Sequence, residues 1–122
     1  MSTVTTLSPM EHKIVEILHS RYFGYALPKA ETVRVASRKN LNSVRYVNLV
    51  HRGVVNLPDG ELSLGNYSHV DLLMLSLGAM ITCDVQGGKL KRIVLLAYGH
   101  ETWDGSEEGW RIVNPDSGIG YV

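Results

Sequence analysis

Apolar residues recur at Met10, Ile14, Ile17 and Leu18, the spacing of one face of a helix, while Glu11, Lys13, Glu16 and Ser20 fall elsewhere. The start of this helix is written into the chain. Ser8 is an N-cap type, Pro9 occupies the first helical position, and Glu11 follows Ser8 by three residues. In that capping box the Ser8 hydroxyl and the Glu11 carboxylate each satisfy an otherwise unpaired backbone N–H. Gly24 suits the far end. The pattern predicts an amphipathic helix beginning after Ser8.

A second periodicity runs from Ser43 to about Arg52. At roughly 100° per residue, Arg45, Asn48 and Arg52 share one narrow stripe, and Tyr46, Val47, Leu49 and Val50 cover the far side. Asn42 or Ser43 serves as its cap. Arginine and asparagine carry planar donor and acceptor arrays that match guanine and adenine edges in a major groove. An ordinary solvated helix face is the alternative. The runs Val54–Leu57 and Glu61–Leu64 then flank Pro58-Asp59-Gly60, a turn sequence, and predict a β-hairpin. Thr32-Val33-Arg34-Val35 alternates like a strand, in conflict with a helix at that place, so residues 29–39 are open between helix and strand.

Leu7-Ser8-Pro9-Met10-Glu11, the apolar helix after it, and Ser43-Val44-Arg45 opening a segment with spaced arginines resemble the winged helix-turn-helix DNA-binding domain of response-regulator transcription factors. The resemblance covers the N-terminal half only. It implies a recognition helix starting at Ser43 and a wing formed by the 54–64 hairpin. The DNA-facing residues would be Arg38, Lys39, Asn42, Ser43, Arg45, Asn48 and Arg52.

In the second half, Ser68 can cap a helix that is apolar nearly all round: Val70, Leu72, Leu73, Met74, Leu75, Leu77, Ala79 and Met80. A helix of that kind needs cover on most sides, which predicts a homodimer. Three strand candidates follow. Met80–Val85 and Leu90–Tyr98 flank Gln86-Gly87-Gly88, and Trp110–Val113 leads into the turn cluster Asn114-Pro115-Asp116-Ser117-Gly118. The expected fold is therefore α+β, with a winged-helix-like region over residues 1–66 and a helix plus a small antiparallel sheet over 67–122.

Charge sharpens the functional expectation. The 122 residues balance at 12 basic and 12 acidic side chains. Within that balance, Lys29, Arg34, Arg38, Lys39, Arg45 and Arg52 cluster against Glu31 alone, and Glu101, Asp104, Glu107, Glu108 and Asp116 form the opposite pole. The basic pole permits double-stranded DNA. The acidic loop 101–108 permits a basic protein partner. No apolar run approaches the ~20 residues of a membrane span, no signal segment precedes the first helix, and one cysteine cannot form an internal disulfide; a cytoplasmic protein is expected.

Candidate chemistry is sparse. Cys83, His100 and Asn114 occur in the chain order of a papain-like set, but Cys83 lies in a strand pattern, and Arg92 stands where that arrangement places its histidine. The histidines lack metal-site spacing, and Gln86-Gly87-Gly88-Lys89 lacks the spacing and following helix of a phosphate loop. No cofactor and no enzymatic activity are expected. The sequence predicts a DNA-binding regulator, with a non-enzymatic inhibitor or adaptor of phage or mobile-element type as the alternative.

Overall fold

The structure is a computed structural model that describes residues 4–113. Helix α1 (Pro9–Arg21) forms where the capping box places it. The Ser8 hydroxyl accepts from Glu11 N–H at 3.2 Å, and Glu11 Oε1 accepts from Ser8 N–H at 2.9 Å. The helix buries Met10, Glu11, Ile14, Val15, Ile17 and Leu18.

Every other regular element is extended, apart from short 3-10 turns. The strands are β1 (Thr5–Thr6), β2 (Arg34–Leu41), β3 (Val44–Val50), β4 (Gly60–Leu62), β5 (His69–Leu72), β6 (Leu75–Gln86), β7 (Lys89–Ala97) and β8 (Arg111–Val113). They form one antiparallel sheet in the order β1-β2-β3-β7-β6-β5-β8, with β4 also paired to β6. The β3–β7 ladder, Val44↔Leu96 to Asn48↔Arg92, joins residues from the two halves of the chain.

This overturns the helix-led arrangement expected from the sequence. The segment 44–50 is strand β3, not a recognition helix. Val44, Tyr46, Val47 and Val50 are β-branched or aromatic and fit a pleated surface, so strand pairing outweighs the helical spacing of Arg45, Asn48 and Arg52. Asn42 and Ser43 form the two-residue turn between Leu41 and Val44, with Asn42 at φ +55°, a region asparagine tolerates. The strand-like alternation at Val33 and Val35 is real: both are buried, and β2 begins at Arg34. The wing is also absent. Strand β4 pairs with β6 (Leu62↔Cys83) and not with residues 54–57, and Asp59 Oδ1 accepts from Gly87 N–H at 2.8 Å.

The apolar run 70–80 is not a helix either. It is two strands, β5 and β6, joined by a turn at Leu73 and Met74, with Leu72 facing Leu75. No glycine, proline or asparagine marks that turn. A run apolar on all sides served equally well for two strands with one face each in the core. The hairpin at Gly87-Gly88 forms as the sequence predicts. Gln86 pairs with Lys89, and both glycines take positive φ (+60° and +74°), as a tight two-residue turn demands. Strand β8 corresponds to the third expected strand, and the 114–118 turn cluster lies outside the described residues.

The core lies between α1 and one face of the sheet. Val35, Val47, Leu49, Ile81, Cys83, Ile93 and Leu95 alternate inward to meet Met10, Ile14 and Leu18. No helix among the described residues is long and apolar enough to cross a membrane. Ser8→Ala removes the cap that starts α1 and is expected to lower unfolding stability by ~0.5–2 kcal/mol, read from urea denaturation.

Candidate interaction surfaces

Strand geometry disperses the expected DNA stripe. Successive side chains on a strand point to opposite faces, so Arg45 turns toward the core side and Asn48 toward the outer side, where its Nδ2 donates to Ser37 Oγ at 2.9 Å. Arg38 turns inward with Arg45, and Lys39 stays exposed. Asn42 and Ser43 sit in the β2–β3 turn, and their carbonyls accept from Trp103 N–H and Ala97 N–H. Arg52 lies beyond the end of β3, exposed. The seven residues share no surface.

The inward pair instead meets the carboxylate of Glu11, whose local sequence marks it only as a partner of the Ser8 cap. Glu11 has 0% exposure. Arg38 grips it with two nitrogens, Nε to Oε2 at 2.8 Å and a terminal nitrogen to Oε1 at 2.6 Å. Arg45 approaches the same carboxylate at 4.0 Å and Glu107 at 3.6 Å. The Ser8 hydroxyl is hydrogen-bonded to Glu107 as well. Asn40 Nδ2 donates to the Asp104 carbonyl, and Asn40 Oδ1 accepts from Arg45. Two carboxylates and two guanidiniums therefore tie the start of α1, strands β2 and β3, and the 101–109 loop together.

The two carboxylates titrate in opposite directions. Burial pushes Glu11 up, but the hydrogen bond from Arg38, the Ser8 N–H and the charges of both arginines outweigh it, and its carboxyl lies below the ordinary value. Burial also pushes Glu107 up, and the negative charge of Glu11 adds to that; the Ser8 hydroxyl and the two arginines offset it only in part. Glu11 thus contributes stability that is complete above the ordinary carboxylate range and is lost as pH falls toward its depressed folded value. Ionised Glu107 works the other way and costs stability above its raised value.

The acidic loop is thereby partly consumed inside the molecule. Glu107 is half-buried, Trp103 is buried with its indole N–H on the Ser106 carbonyl at 3.0 Å, and only Asp104 and Glu108 of the charged positions 102–108 are exposed. Gly105 lies so close to Arg45 and Asn40 that a Cβ there would come within 2.1 Å of a guanidinium nitrogen, and its φ is +88°.

Two open surfaces stand out among the described residues. The first is the face of the sheet opposite α1. Ladder registers place Leu41, Val44, Leu96, Met80 and His69 in one row across five strands. Lys39, Tyr46, Val94 and Thr82 form the next row, and Asn48, Arg92 and Asp84 the one beyond. The second surface is a cleft at the end of β3 lined by Glu31, Thr32, Arg34, Val50, His51, Arg52 and Gly53. Cys83, the candidate nucleophile, is buried on β6, and burial holds its thiol far above its ordinary value. His100 is exposed in the turn after β7, and Asn114 lies outside the described residues. Compared with protein families, with curated proteins and with solved structures, the chain matches none.

The buried network yields a paired prediction. Glu11→Gln strands the Arg38 guanidinium and leaves Arg45 with Glu107 alone, and is expected to cost about 3 kcal/mol at neutral pH. Glu107→Gln is expected to keep or raise stability at neutral pH, an advantage that fades as the medium is made acidic and the parent's Glu107 protonates. Denaturation of both variants at several pH values checks the two signs.

Proposed function

We propose that the chain is a non-catalytic protein-interaction module that docks through the open face of its sheet, with a second copy of itself as the occupant. This keeps the adaptor or inhibitor reading from the sequence. The observation that carries it is the uncovered row Leu41–Val44–Leu96–Met80. Leu41 and Met80 are exposed, and Val44 and Leu96 are only partly covered. An apolar sheet face of this kind associates by burying itself on another layer about 10 Å away.

The charges on this face favour a like partner. Arg92 and Asp84 are cross-strand neighbours 3.8 Å apart, and the Arg92 guanidinium lies over the Tyr46 ring at 5.4 Å. A two-fold axis parallel to the strands between β6 and β7 would set Arg92 of each copy against Asp84 of the other and lay the apolar rows against one another beside them. Lys39, and Glu61 on β4 paired with Asp84, are the other charged residues in these rows among the described residues, so the face is balanced in charge and offers no strong field to a polyanion. The sequence-based reason for a dimer, an all-apolar helix at 70–80, does not hold; this face replaces it.

Sedimentation equilibrium at tens of micromolar should return a dimer. Met80→Glu, at an exposed position, should return a folded monomer with unchanged circular dichroism. A parent protein that stays monomeric at high micromolar concentration overturns the second-copy reading.

A further inference from the structure

We infer that the cleft at the end of β3 is a phosphate-binding site built around Arg34 and Arg52, beginning at the Arg34–Val50 pair beyond the Asn48–Arg92–Asp84 row. Together with an adjoining smaller cleft that shares Val50 and His51, its lining carries Arg34, Arg52, Lys89 and Lys91, with Glu31 as the only carboxylate. Arg38 and Arg45 are neutralised inside the molecule, whereas neither Arg34 nor Arg52 has a carboxylate within ion-pair distance among the described residues. Arg34 is held in place through one terminal nitrogen, which donates to the Glu31 and Val33 carbonyls at 2.7 and 3.0 Å. Its Nε and second terminal nitrogen stay available as a planar donor pair, the geometry that suits a phosphate oxygen pair.

The wall opposite Arg34 is built to present cations. His51 Nε2 accepts from Leu90 N–H at 2.9 Å, so the ring proton sits on Nδ1 and is donated to the Arg52 carbonyl at 2.7 Å. The Lys89 ammonium donates to the carbonyls of His51 and Gly53. Three successive carbonyl oxygens, of His51, Arg52 and Gly53, are thus each taken by an internal donor. The loop that carries Arg52 is pinned at both ends, and those lone pairs, which would repel an anion, are already occupied. The cleft is broadly open to solvent and, at about 920 Å³, has room for more than one phosphoryl group. Two sources share this chemistry: a small phosphorylated molecule, or the phosphate backbone of a nucleic acid.

Two probes separate them. Sodium pyrophosphate is titrated calorimetrically, and a fluorescent oligonucleotide is followed by anisotropy at two salt concentrations. Binding of pyrophosphate alone assigns a small phosphorylated ligand. Binding of the oligonucleotide, weakening steeply with salt, assigns a nucleic-acid backbone. In either case Arg52→Ala and Arg34→Ala should each weaken binding by about tenfold. Arg111→Ala, which removes the same charge at the far edge of the sheet, should leave it unchanged. Arg34→Lys keeps the charge but not the fork, and should also weaken binding if Arg34→Ala proves unstable. Failure of both probes to bind at low salt, or binding indifferent to Arg52→Ala and Arg34→Lys, overturns the site.

Discussion

The buried carboxylate of Glu11 is the constraint on which the remainder of this structure depends. A fully buried charge is costly unless it is paired and hydrogen-bonded. Glu11 meets that demand by caging itself: the Ser8 N–H from its own cap, the two-nitrogen grip of Arg38 from β2, and the charge of Arg45 from β3. Each partner comes from a different element. The helix cannot swing away from the sheet without exposing unmatched charge on both sides. The β2–β3 hairpin cannot slip by one residue, because Arg38 and Arg45 would then face solvent.

The same cluster explains the loop after β7. Glu107 joins Arg45, Asp104 lends its carbonyl to Asn40, and Gly105 allows the backbone to pass against both side chains. Glu107 is a strained participant, since its ionisation is opposed by burial and by Glu11. The loop is therefore held by its backbone hydrogen bonds and by buried Trp103 as much as by charge. What stands in the sequence as two opposite poles, basic over 29–52 and acidic over 101–108, meets in the folded chain through the Arg45–Glu107 ion pair and the Asn40–Asp104 contact. Arg34 and Arg52 are left at the cleft at the end of β3, with no carboxylate in ion-pair distance among the described residues.

This division also sorts the surfaces. The core face of the sheet takes α1, and the cations that face inward are spent there. The outer face keeps apolar rows with the balanced pair Arg92 and Asp84, a character suited to packing on a like surface. The cleft keeps an excess of positive charge and suits an anion. A single antiparallel sheet thus carries a charge-balanced docking face and, at the end of β3, a cationic site.

The start of helix α1 and its apolar residues were legible from the sequence because their signals are local, a cap, a box and a 3.6-residue spacing, whereas the helix ends at Arg21 with Tyr22 as its C-cap, short of Gly24. The Gly87-Gly88 turn was legible for the same reason, since only glycine takes two successive positive φ values at little cost. The identity of segments 44–50 and 70–80 was not. Arg45, Asn48 and Arg52 have the spacing of a helical stripe, and Val44, Tyr46, Val47 and Val50 have the shape of a strand. Only the pairing of β3 with both β2 and β7 decided between them. The apolar run 70–80 hid a turn at Leu73 and Met74 that carries none of the usual turn residues, and its strands exist because β6 finds β7 and β4 as partners. The role of Glu11 shows the same limit. Its place in a capping box was readable from three neighbouring residues, but its charge partners lie 27 positions or more along the chain. Sequence by itself determined what could be settled within one turn of backbone. Strand identity, the pairing of charges and the surfaces left open were decided by long-range contact, because a strand has no hydrogen bonds of its own and a buried charge is tolerated only where tertiary packing delivers its counter-charge.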